Sequence, residues 1–162
     1  MNGAEKESPM RRQEKEITDR AEQEEVLRSA AVLSLALRGP NAPYVVPVCF
    51  GLDGEVLYVH SALAGTKIDL LNADHVVGFC ACADVSVTTR AEACSSGASG
   101  RSVVGTGRAR VVQDEQERLR GLDAIMRHYR GDSSEKPVYS PASLSRTAVI
   151  AIRIDTLHGK SV

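Results

Sequence analysis

Six runs of mainly aliphatic residues, each ended by turn-forming or polar residues, direct this chain toward a fold built from strands. They span 32–37, 44–52, 55–60, 75–83 (continued by 85–89), 101–112 and 147–156. In the first, Leu33, Leu35 and Leu37 alternate with smaller residues, the two-residue period of a strand buried on one face. Gly39-Pro40-Asn41 breaks that run, and Asp53-Gly54 is a strong two-residue hairpin signal between the second and third. Pro47 has no N–H to give to a ladder, which puts it at an edge, at a bulge, or beside something other than a strand. Gly105 and Gly107 suit a bulge or a close backbone approach.

Helices fill the gaps. Asp19 with Glu22 is a capping-box-like start for a helix to about Ala31, with a narrow apolar stripe of Val26, Leu27 and Ala30. A short helix is expected over 67–72. Asp114 with Glu117 starts a third, carrying Leu119, Leu122, Ile125, Met126 and Tyr129 on one face. Loops are expected over 61–66, 93–100 and 131–140. Residues 1–16 are polar and charged and read as a flexible tail, leaving 17–162 as a single domain. Strands joined mostly by short turns, with three helices, imply a mainly β fold: a small barrel with helices packed outside.

With two Phe, four Tyr and no Trp, the core must be built from Val, Leu, Ile and Ala. A formal charge of −1 argues against broad nucleic-acid binding, which needs a clustered positive surface. The run from Ala30 to Leu37 is far below the roughly 20 apolar residues that span a bilayer. The charged N-terminus has no signal-peptide core, so a cytoplasmic protein with reduced cysteines is expected.

The most informative stretch is Tyr58-Val-His-Ser-Ala-Leu-Ala-Gly-Thr-Lys67. A strand ends, a small-residue loop crosses, and a helix begins. The first amides of a helix lack carbonyl partners and carry partial positive charge, so Ser61, Thr66 and Lys67 could complete a phosphate cradle. An ordinary strand-to-helix turn with an exposed lysine explains the same residues equally well. Tyr44-Val-Val-Pro-Val-Cys-Phe50 would leave backbone groups for the polar edge of a planar ring, or would simply be a core strand with an edge proline. Cys80 and Cys82 face the same way on a strand, but with Cys94 they lack zinc-site spacing, so buried thiols and no metal are expected.

Several segments in order resemble one family: Met10-Arg-Arg-Gln-Glu-Lys-Glu-Ile17, Tyr44–Phe50, Leu57-Tyr-Val-His-Ser-Ala62 with Gly65-Thr-Lys67, Arg101-Ser-Val-Val-Gly-Thr-Gly107, and Met126-Arg-His-Tyr129. The chain resembles the Nim-type (nitroimidazole-reductase-like) flavoproteins of the pyridoxamine-phosphate-oxidase-like superfamily over roughly 10–160. The resemblance implies a six-stranded split β-barrel of the FMN-binding type and a homodimer with FMN, or FAD as in some relatives, between subunits. It places Val46, Pro47, Val48 and Cys49 along the isoalloxazine. His60 falls close to the ring as a hydrogen-bond donor or proton source, and Ser61, Thr66 and Lys67 at the phosphate. Arg101, Ser102 and Val103 would reach the flavin held mainly by the partner. Relatives often carry Trp and Tyr just after the Cys94 position, where this chain has Ser95-Ser-Gly-Ala-Ser-Gly100. The implied activity is an oxidoreductase acting on a small electron-poor molecule such as a nitro compound. A non-catalytic flavin carrier or redox sensor is the alternative, and a haem-binding relative using His60 or His158 ranks third.

Overall fold

The computed structural model describes residues 11–131 and 136–162. Residues 1–10 of the expected tail and 132–135 of the 131–140 loop lie outside the described residues. From Arg11 onward, Gln13–Lys15 form a 3-10 turn and Glu16–Ile17 a short strand, β1.

The helices begin where the carboxylates predict. Helix α1 (Arg20–Ser29) is capped by Asp19, whose Oδ1 accepts from the amides of Ala21 at 2.6 Å and Glu22 at 3.3 Å. Helix α2 spans Thr66–Ala73, and α3 (Glu115–Arg130) is capped by Asp114 accepting from the Glu117 amide at 2.8 Å. These side chains satisfy N–H groups that the helix leaves unpaired. Asp114→Ala is therefore expected to lower unfolding stability by about 1 kcal/mol, measured by urea denaturation; an unchanged midpoint would refute the cap's contribution. A further short helix, α4 (Pro141–Leu144), falls where only polar loop and strand start are legible in sequence.

The remaining strands are β2 (Leu33–Leu37), β3 (Tyr44–Val48), β4 (Phe50–Asp53), β5 (Val56–Ala62), β6 (Val76–Thr88), β7 (Gly97–Val111) and β8 (Thr147–Ser161). They form one antiparallel sheet in the order β3-β2-β6-β7-β8-β5-β4, with β1 attached to β8. The run read as one strand over 44–52 breaks at Cys49. Its first part pairs with β2, and its second pairs with β5 at the far end of the sheet. The two ends of the sheet are thus consecutive parts of one segment, and the sheet must curl until they meet. Counted as one excursion, β3 and β4 make a six-stranded barrel, split at Cys49 where no ladder joins them. The expected split β-barrel with flanking helices is the observed architecture.

Other boundaries move for physical reasons. The hairpin turn is Gly54–Glu55 with Asp53 opposite Val56, since Gly54 has φ 59°. The runs over 75–83 and 85–89 form one strand interrupted by a bulge, with Asp84 at φ 55°. The loop expected over 93–100 is partly strand: Gly97–Ser99 pair with Ser86–Thr88. The last strand continues beyond 156 to Ser161 because β7 and β1 both pair with it. The ladder slips between Thr106 and Gly107, and a Cβ on Gly105 would lie 2.4 Å from Phe79 Cζ, so the glycines mark both a bulge and a close approach.

Two layers of apolar residues follow from strand alternation. Leu57 and Val59 of β5, Ile150, Ile152 and Ile154 of β8, and the three leucines of β2 fill the barrel, closed by Val26 and Leu27 of α1 and by Ile68 and Leu71 of α2. Tyr58, Val149 and Ala151 point outward and pack under Ala124 and Ile125 of α3. Contact there is backbone-close: a Cβ on Gly51 would lie 2.3 Å from the Ala124 carbonyl, and one on Gly121 2.6 Å from the Tyr58 ring. Helix α3 covers the outer face of β4, β5 and β8. Among the described residues no helix covers the outer face of β3, β2, β6 and β7.

Candidate functional site

The split in the barrel gathers the first group of candidates. Phe50 pairs with Val59, so that ladder ends one residue short of Cys49 and His60, where β4 gives way to β3. The seam is fixed by Tyr129, whose hydroxyl donates to the Ala31 carbonyl at 2.9 Å and accepts from the Phe50 amide at 3.2 Å. Burial, its largest influence, raises the Tyr129 pKa and keeps it a hydroxyl. Sequence alternation shows Tyr129 only as part of an apolar face; its pairing with residues about 80 and 98 positions away leaves no local signal.

Each candidate here offers a definite group. Val46 packs against the barrel interior and Val48 is buried in it, so they present only backbone outward. Pro47 and Cys49 are exposed, and the far edge of β3 has no strand partner, which accommodates a proline without losing a ladder bond. His60 is exposed on the outer face opposite Val149, and Ser61 is half-buried opposite Ala148. Strand β5 ends at Ala62, and Gly65, at φ 122°, turns the chain into α2. Gly65 gives no side-chain cap, and the first amides bonded back to its carbonyl are those of Ile68 and Asp69. The amides of Thr66 and Lys67 are the unpaired donors of this turn. Lys67 is half-buried and its pKa is lowered, desolvation being the only influence on it. A desolvated ammonium with no carboxylate partner among the described residues, next to the first amides of α2, suits an anion.

The second group lies on β7, three strands from the seam. Ser102 stands opposite Cys82 and Lys160, pointing outward, whereas Val103 is fully buried in the barrel and offers backbone only. Arg101 is held by Asp84, with Nε and Nη2 at 2.7 and 2.5 Å from the same carboxylate oxygen. Along the curved path through β3, β2, β6 and β7, Cys49 and Ser102 are three strand spacings apart, roughly 14 Å of sheet. The two groups therefore stand on separate parts of the barrel wall and do not touch. On the outer side of β3, β2, β6 and β7, Val45, Val76 and Val104 are 60%, 46% and 49% exposed, among the polar Ser34, Thr106 and Arg108.

The thiols do not behave as expected. Cys49, Cys82 and Cys94 are exposed and Cys80 is half-buried, because the inward positions of β6 belong to Phe79 and Ala81. Burial first, then neighbouring Cys82, raises the Cys80 pKa. No group of three metal-ligating side chains occurs among the described residues, and none of their helices is long and apolar enough to cross a membrane. A cavity of about 400 Å³ beneath α3 is lined by Arg28, Leu52, Arg127 and His128. Its cations are engaged, Arg28 with Glu24 and Arg127 with Asp53, and His128 Nε2 donates to the Ala30 carbonyl.

Comparison with known proteins fits this geometry. No curated protein sequence is significantly similar to the chain. Among solved structures, a candidate 5-nitroimidazole antibiotic resistance protein from Bacteroides thetaiotaomicron is 26% identical, with a TM-score of 0.78, over 90% of this chain and 86% of that one. The flavocytochrome Anf3 of Azotobacter vinelandii shares the fold at 19% identity and TM-score 0.79, covering 95% of this chain and 72% of its own. An FAD- and haem-binding protein of Mycobacterium smegmatis does so at 23% and 0.77, covering 91% and 73%. The family model described as pyridoxamine 5'-phosphate oxidase matches residues 19–161. With that match spanning nearly all of the barrel, the chain belongs to the pyridoxamine 5'-phosphate oxidase family.

Proposed function

We propose that this protein binds a flavin nucleotide, FMN in the first instance, as a homodimer, and uses it to reduce a small electron-poor molecule such as a nitroaromatic. The observation that carries the reading is the division of the candidate residues into two separate patches, the seam with the turn into α2 in one and Arg101 and Ser102 of β7 in the other. A second copy laid by a two-fold axis on the helix-free outer side of β3, β2, β6 and β7 would bury Val45, Val76 and Val104 and set Arg101 and Ser102 of one chain toward the seam of the other.

The residues fit the cofactor in detail. Lys67 and the free amides of Thr66 and Lys67 suit its phosphate, with the Ser61 and Thr66 hydroxyls beside them. The unpaired edge of β3 from Val46 to Cys49 gives backbone donors and acceptors to a planar polar edge. His60, exposed near the end of β5, can hold a proton for the reacting molecule. When bound, the flavin would supply the electron transfer itself. The chain's part is to orient the ring, neutralise the phosphate and exclude water by dimerisation.

Purified protein is expected to be yellow, to run as a dimer by light scattering, and to carry one flavin per chain, identified by mass spectrometry. A monomer that retains flavin stoichiometrically would sink the two-chain site. After anaerobic reduction, rapid reoxidation by a nitroimidazole supports catalysis. Reoxidation by oxygen alone would favour a carrier or sensor, a reading that the small residues over 95–100 make specific.

A further inference from the structure

Beside the second patch lies a cavity of about 200 Å³ lined by Cys82, Ala98, Gly100, Arg101, Ser102 and Val162 among others, and Arg101 is the one charged side chain in its lining. Its walls are mostly small side chains, with Gly100 and Val162 bonded to each other at 3.0 and 2.8 Å. A bare guanidinium there would favour an anion. This one is not bare. At the bulge in β6, Asp84 leaves the strand with φ 55°, a conformation that aspartate tolerates, and reaches across to Arg101 of β7. Both contacts fall on one Asp84 oxygen, which uses two of the five guanidinium N–H groups and leaves three to point elsewhere.

We infer that Asp84 is a specificity-determining residue of this site: by holding and neutralising Arg101 it makes the pocket accept an uncharged oxygen acceptor and reject the matching anion. The claim rests on the flavin-site reading only in taking this cavity as the place where the reacting molecule sits. Its physical basis is a difference in desolvation. A nitro group and a carboxylate have the same shape and the same two oxygens, so both can meet the three free N–H groups. The carboxylate loses far more hydration on entering a mainly apolar cavity, and the Arg101–Asp84 pair, with no net charge, does not offset that loss. Lys160, opposite Ser102, is outside the lining. Asp84 is 56% exposed and Arg101 27%, so solvent and salt screen the effect and hold it to about tenfold at low ionic strength.

The test compares para-nitroanisole with para-methoxybenzoate, which differ only in nitro against carboxylate. Their dissociation constants are measured by ligand-observed NMR on the full chain, with its copurifying ligand and after stripping. The unaltered protein is expected to bind the nitro compound more tightly. Asp84→Asn keeps a residue suited to φ 55° and an oxygen to accept from Arg101. It should shift the ratio about tenfold toward the carboxylate at low salt, and by less at high salt. Arg101→Gln should weaken both ligands. A loss of fold would move both constants together, whereas the proposal predicts that their ratio moves. A native preference for the carboxylate, an unmoved ratio in Asp84→Asn, or no binding of either molecule to either form overturns the inference. If the ratio shifts in a protein that never binds flavin, the cofactor reading fails and the role of Asp84 stands. If flavin binds and the ratio is fixed, only the role of Asp84 falls.

Discussion

Lys67→Glu is expected to weaken retention of a flavin nucleotide by at least about a hundredfold, since it removes a charge-assisted contact and sets a carboxylate against the phosphate. The effect should be this large because no carboxylate pairs with the ammonium among the described residues, and desolvation lowers its pKa. Between that lowered value and the ordinary lysine value the unfolded chain binds more protons than the folded one, so stability rises with pH through this alkaline window. At neutral pH the charged Lys67 therefore works against the stability of the ligand-free protein, and a bound phosphate reverses that. Lys67→Met should accordingly melt no lower than the native chain without flavin, yet gain nothing when FMN is added. A variant that melts much lower, or that keeps its colour, would show that Lys67 serves packing and not the anion. Subunit exchange separates the two patches. Lys67→Glu and Arg101→Glu chains, each deficient alone, should on mixing regain roughly a quarter of native flavin capacity, because half the dimers are mixed and each holds one intact site. No recovery would exclude a site shared between chains.

Gly51→Ala should be the most damaging single methyl in the protein, at about 3 kcal/mol of unfolding free energy. The added Cβ would stand 2.3 Å from the Ala124 carbonyl and 2.5 Å from the Ile125 amide, and these are helix backbone that cannot rotate aside. Helix α3 would have to lift from β4, loosening the packing of Ile125 and Ala124 on Tyr58 and drawing Tyr129 from the Phe50 amide. Chemical denaturation measures the loss. A midpoint within experimental error of native would mean that the helix slides freely on the sheet. The paired loss of flavin is also informative, because Tyr129 pins the seam beside Cys49.

How much of this was legible in the sequence depends on how local each feature is. The caps at Asp19 and Asp114, the alternation of Leu33, Leu35 and Leu37, and the turn into Lys67 are written in a few consecutive residues and appear where expected. The break at Cys49 is not, because Val48 and Phe50 are both buried core residues and only a change of partner, from β2 to β5, separates them. Gly97–Ser99 have little intrinsic preference for a strand and take that form because β6 extends to meet them. The same logic governs the site. The turn from His60 into Lys67 that we propose as a phosphate cradle is a local signal, whereas the grip of Asp84 on Arg101 spans 17 residues and depends on a bulge. The thiols of β6 were misjudged since alternation gives two faces without saying which is inside.

The closing strand has a consequence for how the molecule is made. Strand β8 is the partner of β1, β5 and β7 at once. Every one of those segments leaves the ribosome before it, with an open side waiting. The leucine- and valine-rich inner surfaces must stay unsealed until the final fifteen-residue strand arrives, so the nascent chain passes through a long interval in which it can mispair, and its speed of maturation is set by its most distant contacts.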